Sequence, residues 1–171
     1  MKNITIFFLV LLSFSIVSCN KSNGKHLVYG MNQTFQLMDG EQEVTATKER
    51  VRVYEFLCAP GDISLPINKV IEANNYGIYI SFADTSLTTT QYIHLLTSDS
   101  TRVLVSKHQA TIANTSATSL LMRVNDIYVT QYWKSSKVPG MNEVFSLITK
   151  DSALAKSVFD SSEFLQSRLE K

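Results

Sequence analysis

The side chains of this sequence that are able to do chemistry are few and widely spaced. Its three histidines, His26, His94 and His108, form neither an H-x-H pair nor an H-E-x-x-H motif, and the chain has only two cysteines. Neither a G-x-S-x-G nor a P-loop motif occurs. The sequence therefore predicts no metal site and no cofactor, and we interpret the protein as a non-enzyme.

The remaining chemical candidates have simpler interpretations. Cys58 follows Phe56 and Leu57 in an apolar setting, which favours a buried structural thiol over a reactive one, with an intermolecular disulfide as the alternative. Asp39, Glu41 and Glu43 follow a turn and are interpreted as a solvated loop. His94 lies in an alternating segment and is predicted to be a strand residue at the edge of a core.

An aromatic group suggests a binding surface. On a strand, Tyr128 and Tyr132 share one face and lie about 13 Å apart, so an open face would let them contact a sugar, a peptide or a protein. The alternative is that they pack in the core. Met141 and Phe145 belong to a later apolar stripe that either completes the core or docks a partner.

The composition excludes several classes of protein. The 171 residues include 44% hydrophobic and 18% charged residues, which is too apolar for a disordered chain. With 16 Lys+Arg against 15 Asp+Glu, the charge is too balanced to attract nucleic acid. The length suits one domain with a substantial core.

The amino-terminal segment indicates export. Lys2 precedes an apolar run at residues 4–17, whose 14 residues would rise about 21 Å as a helix, short of a bilayer's hydrocarbon core of roughly 30 Å. This pattern is typical of a signal peptide rather than a permanent membrane span. The run ends at Ile16-Val17-Ser18-Cys19.

That ending resembles the lipobox of bacterial lipoproteins, and Ser18-Cys19-Asn20-Lys21 is similar to lipoproteins of the Bacteroidetes. The resemblance implies cleavage between Ser18 and Cys19 and acylation of Cys19, with palmitate-type chains anchoring the protein to the membrane. Because Asn20 is not the aspartate that signals inner-membrane retention in enterobacteria, the resemblance implies the outer membrane. The acidic export signal of surface-exposed relatives is absent after Cys19, which favours a periplasm-facing orientation.

These features divide the chain into three parts. Residues 1–18 are the signal peptide, residues 19–26 are the lipidated cysteine and a tether, and residues 27–171 are a single globular domain. Without residues 1–18 the chain has 15 Lys+Arg and 15 Asp+Glu, so its charge implies no electrostatic partner.

The domain is predicted to be α+β, with an antiparallel β-sheet or sandwich and helices concentrated at the C-terminal end. Alternation predicts strands at 33–38 and 50–56, and residues 43–49 either extend the second strand or form a short helix. Aromatic and β-branched residues predict a strand at 76–82, and residues 91–97 and 102–106 flank a predicted hairpin turn at 98–100. Residues 119–124 and 127–133 flank a tight turn at Asn125-Asp126. Ser64 is predicted to cap a short helix with Pro66 in its first turn.

The spacing of apolar residues predicts helices near the C-terminus. Four apolar residues recur at i, i+3, i+4 and i+7: Met141, Val144, Phe145 and Ile148. Asp151 is predicted to cap a helix at 152–159, and Asp160 with Glu163 resembles a capping box for a last helix.

The sequence features lead to two hypotheses about function. The first is a lipoprotein that binds or assembles with a protein partner in the envelope; its layout of lipid tether and β-rich domain is similar to that of the small lipoprotein that anchors the type VI secretion membrane complex. The second is a periplasmic inhibitor or immunity protein that blocks a hydrolase or toxin. Neither function involves nucleic acid or a metal.

Overall fold

A computed structural model of the protein describes residues 26–30, 33–61 and 63–169. The predictions on Ser18 and Cys19 lie outside these residues. The strands are β1 (His26–Tyr29), β2 (Gln33–Gln36), β3 (Gln42–Val44), β4 (Ile67–Glu72), β5 (Tyr76–Asp84), β6 (Arg102–Ile112), β7 (Thr115–Val124), β8 (Ile127–Ser135) and β9 (Met141–Thr149). The helices are α1 (Lys48–Cys58), α2 (Thr89–Thr97), α3 (Ser152–Asp160) and α4 (Glu163–Gln166).

Seven strands form one antiparallel sheet in the order β3-β4-β5-β9-β8-β7-β6. Strands β6 to β9 follow one another as a meander, and β9 then pairs with the earlier strand β5 from Tyr76↔Thr149 to Asp84↔Met141. Strands β1 and β2 form a separate hairpin. The α+β class with an antiparallel sheet, predicted from the sequence, is confirmed.

Helices α1 and α2 cover one face of the sheet. Tyr54 of α1 stacks on Tyr79 of β5 with ring centroids 4.9 Å apart, and Tyr92 of α2 lies 4.6 Å from Trp133 of β8. The Tyr92 hydroxyl also donates to the carbonyl of Cys58 at 2.6 Å, which joins the two helices. These residues form the first of two large apolar cores.

The β1–β2 hairpin and the C-terminal helices cover the other face. Tyr29 and Phe35 of the hairpin both pack on Phe145 of β9, with centroids 5.9 and 6.2 Å away. Val158 of α3 and Leu165 of α4 join the same core. The chain is therefore layered as helices, sheet, and a mixed layer of hairpin and helices.

Two helices occur where strands were predicted. Residues 50–56 belong to α1, which Thr47 caps by accepting from the Arg50 amide, and which buries Tyr54, Leu57 and Cys58 on one side. Residues 91–97 belong to α2, which starts with a capping box between Thr88 and Gln91. Each segment has an N-terminal cap and buries residues at helical spacing, which are Tyr54, Leu57 and Cys58 in α1 and Tyr92 and Leu96 in α2. These features outweigh the apparent alternation. Residues 98–100 consequently join a helix to a strand and do not form a hairpin turn.

Two strands occur where helices were predicted. The segment after Ser64 and Pro66 is β4, which pairs with β3 and β5. The apolar stripe from Met141 to Ile148 lies in β9, a central strand with Val144 in one core and Phe145 in the other. Because both faces of this strand are buried, its consecutive apolar residues imitate helical spacing.

Other local predictions are confirmed. Residues 76–82 lie in β5, and Asn125 adopts a φ of 55° in the turn between β7 and β8. Asp151 caps α3 by accepting from the amides of Ala153 and Leu154. The expected capping box of α4 is wrong, since its cap position is Ser162 with no side-chain bond.

Within the described ranges, no helix combines the length and the apolar character needed to cross a bilayer.

Candidate functional site

The outer edge of β6 is the most extended open feature of the described sheet. β6 is the last strand in the sheet order, and among the described residues it pairs only with β7. It has 11 residues, whereas β3 at the opposite edge has three. A long strand with an unpaired edge presents a row of backbone donors and acceptors to a neighbouring chain.

One contact shows which backbone groups point outward. The carbonyl of Thr111 accepts a hydrogen bond from Nε2 of Gln166 at 2.5 Å, so it points away from β7. In an antiparallel pair the direction of the backbone groups alternates from residue to residue, and the register is regular from Ser106 to Ile112. The backbone groups of Gln109 and Lys107 therefore also point outward.

The edge also carries exposed apolar and cationic side chains. The β6–β7 register shifts between Leu104 and Ser106, and Val103 and Val105 are 43% and 51% exposed. Lys107 is exposed, as is Arg123, which lies opposite Val103 on β7. Neither cation forms an ion pair within the described part of the chain.

Helix α1 extends the apolar part of this surface. Phe56 is 52% exposed, and the Arg102 guanidinium at the start of β6 lies 5.7 Å from its ring centroid. Arg102 also donates to the Phe56 carbonyl, which ties the end of α1 to β6. We call Phe56, Val103, Val105, Lys107 and Gln109 the β6 edge surface.

The structure corrects the aromatic platform predicted from the sequence. Tyr132 and Phe145 are each 1% exposed, and the Tyr132 hydroxyl donates to the carbonyl of Val158 in α3. Tyr128 is half-buried beside the small core that α3 forms with β7. Helix α3 thus covers the face that would have to be open, and core packing is the correct alternative for Tyr132 and Phe145.

Met141 is half-buried at the start of β9, opposite Asp84. Met141 is on β9, whereas the β6 edge surface is on β6 and α1. The structure does not bring Met141, Tyr128 and Tyr132 together as one patch.

The structure places Cys58, His94 and His108 in three different elements, α1, α2 and β6. Cys58 is fully buried, and burial raises the pKa of its thiol to about 12, which confirms the predicted buried thiol. His94 is exposed on α2 and is not the strand residue expected. His108 packs edge-on against Phe159 at 4.4 Å. Within the residues that can be described, no three His, Cys, Asp or Glu side chains are grouped for a metal ion.

The acidic loop contains an unexpected buried ion pair. The side chain of Glu41 is 0% exposed and accepts from Arg168 Nη1 and from the Tyr76 hydroxyl, so the prediction that it is solvated is wrong. Glu43 lies on β3 and binds Lys69 at 2.7 Å. No feature of the sequence signals the contact between Glu41 and Arg168, which are far apart in the chain.

Comparison with known proteins shows a similarity of fold. No family model matches the chain, and no curated protein matches it. Among solved structures, the chain is similar to cyanobacterial PsbP (CyanoP) from Synechocystis sp. PCC 6803, solved in solution, with a TM-score of 0.50. The fold resembles that of PsbP. The match covers 81% of this chain and 85% of the PsbP chain at 13% sequence identity, which supports the α+β fold and nothing finer.

Proposed function

We propose that this protein is a lipid-anchored envelope protein that binds a protein partner by strand addition at the β6 edge surface. The observation that carries the proposal is the 11-residue strand β6, which pairs on one side only among the described residues. Backbone hydrogen bonds to an added strand supply affinity, and alternate side chains supply specificity.

The anchor and address come from the sequence. The segment ending at Cys19 resembles a lipobox, which supports attachment to a membrane, and the residues after it favour the periplasmic side of the outer membrane. The tether of residues 19–26 leads directly into β1, which begins at His26. The domain would therefore act close to the membrane, as a binding or assembly component of an envelope complex such as a secretion system.

The chemistry of the edge defines the partner segment. Val103 and Val105 favour apolar side chains, while Lys107 and Arg123 are cations without an ion pair in the described chain. Strand β6 itself contains no acidic residue. We therefore expect an extended partner segment that alternates apolar and acidic side chains.

Matched substitutions at Gln109 test the proposal. Gln109→Pro removes a backbone N–H that points outward, so it leaves the ladder with β7 intact and blocks strand addition. Gln109→Thr changes the side chain and keeps the N–H. The tagged full-length protein is purified from detergent-solubilised envelopes of its own host, and the proteins that accompany it are quantified.

The expected result is a partner retained by the wild type and by Gln109→Thr and reduced at least about tenfold by Gln109→Pro, with unchanged unfolding midpoints. Equal retention by a folded Gln109→Pro variant would show that the edge does not bind the partner.

A further inference from the structure

A separate cavity of about 430 Å³ lies between the β1–β2 hairpin, the β6–β7 turn and the end of β8. This is within the size range of small-molecule sites. Its described lining residues include two cations, Lys134 and Lys137, and no carboxylate. We call it the Lys134 cavity.

Lys134 is buried together with one counter-ion. It lies opposite Glu143 in the β8–β9 register, and its Nζ is 2.5 Å from Oε2 of Glu143, with the two side chains 6% and 0% exposed. Glu143 also accepts from the Ser136 hydroxyl at 3.1 Å through its other oxygen. The mutual attraction of a buried ion pair often does not restore the free energy that its desolvation costs.

Two residues of the lining carry buried polar atoms without a hydrogen-bond partner among the described residues. They are the hydroxyl of Tyr29, a residue only 2% exposed, and Oε1 of Gln33. Leaving a buried polar atom unpaired costs free energy, so such atoms are uncommon in folded proteins. Burial and the charge of Glu143 raise the pKa of Tyr29, which keeps the hydroxyl protonated and able to donate.

The charged residues around the Lys134 cavity indicate which class of ligand it can bind. Glu143 offsets Lys134, and Lys137 at the exposed rim has no ion pair in the described chain, so the described part of the cavity has one cation in excess. Its described lining residues include no arginine, which is the residue suited to bidentate phosphate binding. Ala113 and Leu169 add apolar wall.

We infer that the Lys134 cavity binds a small organic monocarboxylate, whose oxygens accept from Lys134, Lys137 and the Tyr29 hydroxyl. The inference is independent of strand addition at β6, because it depends on other residues and requires no protein partner.

The test uses the full-length protein in detergent and two pairs of probes, followed by saturation-transfer NMR. Butyrate and butyramide represent a free acid and its neutral analogue. N-acetyl-alanine and N-acetyl-alaninamide represent the free and blocked ends of a peptide. Because each amide matches its acid in shape, a preference for the acids isolates the carboxylate, and the stronger acid identifies its source.

Three variants locate the site. Tyr29→Phe removes only the unpaired hydroxyl, and Lys137→Gln changes an exposed residue of the rim, so both are expected to fold. Lys150→Gln is the control, since Lys150 is exposed and binds Asp126 outside the cavity.

At least one acid is expected to bind about tenfold more tightly than its amide, and Tyr29→Phe or Lys137→Gln should each remove most of that preference while Lys150→Gln leaves it. Equal binding of acid and amide, binding of neither, or a preference that survives both cavity substitutions would overturn the inference.

Discussion

Arg168 binds both carboxylate oxygens of Glu41 through one nitrogen, Nη1, at 2.6 and 2.8 Å, although the two residues are 127 positions apart. The guanidinium also lies over the Phe164 ring, 3.9 Å from its centroid. The Arg168 carbonyl accepts from the Gln36 amide at 2.8 Å. The C-terminal segment is thereby held against the loop that follows β2.

Removing the cation should destabilise the fold strongly. Arg168→Met leaves the buried Glu41 carboxylate without its counter-ion, and we expect the free energy of unfolding to fall by about 3–5 kcal/mol. Arg123→Met, at an exposed arginine without an ion pair in the described chain, should change it by less than about 0.5 kcal/mol. Urea unfolding measures both, and a similar small change in the two variants would contradict the importance of the contact.

The buried thiol predicts a loss of stability in alkali. Burial raises the Cys58 pKa from 9.0 to about 12, so folding favours the neutral thiol. This stabilisation is complete below pH 9 and is lost as the pH rises from 9 towards 12. Urea midpoints measured from pH 8 to 11 should fall, and they should fall less steeply in Cys58→Ala.

The same residue should be chemically protected. A water-soluble maleimide is expected to label Cys58 only after denaturation, because the side chain is fully buried. Rapid labelling of the native protein would show that the thiol is accessible.

The β6–β7 turn stores strain at one residue. Ala113 and Asn114 have φ values of 48° and 61°, as in a type I′ turn, but alanine lacks the tolerance of asparagine for this region. Ala113→Gly should raise the free energy of unfolding by up to about 1 kcal/mol. Ala110→Gly, in the extended part of β6, should instead lower it by about 0.5–1 kcal/mol.

The class of the fold was predictable because composition and turn residues are local signals. Asn125-Asp126 marks a hairpin and Asp151 marks a helix start through chemistry confined to a few residues. The sequence predicts a helix at β9 and a strand at α1, and both predictions are wrong for the same reason. Strand β9 is buried on both faces, and α1 leaves Val53 and Phe56 about half exposed, so neither shows the periodicity that its secondary structure normally produces.

The β6 edge surface and the Lys134 cavity were less predictable, because both depend on the pairing of strands that are distant in the sequence. That β6 is an edge strand follows from the position of β9 between β5 and β8, which no local pattern encodes. The partnership of Lys134 with Glu143 likewise needs the β8–β9 register. The tyrosine pair was recognised as sharing a face, but only the docking of α3 decides that the face is closed.

The membrane anchor is tested by metabolic labelling with an alkyne fatty acid. We expect the wild type to be labelled and Cys19→Ser to lose the label and to leave the membrane or remain unprocessed. Protease added to intact cells should spare the protein if it faces the periplasm. Persistent label in the Cys19→Ser variant would contradict the lipoprotein proposal.

Photo-cross-linking in living cells tests whether a partner covers the edge of β6. A photoreactive amino acid replaces Gln109 at the edge or, as the control, Val28 on β1, which is 53% exposed. A discrete higher-mass adduct is expected from position 109 and not from position 28. No adduct from position 109 in a folded, membrane-localised protein, or the same adduct from both positions, would contradict the proposal.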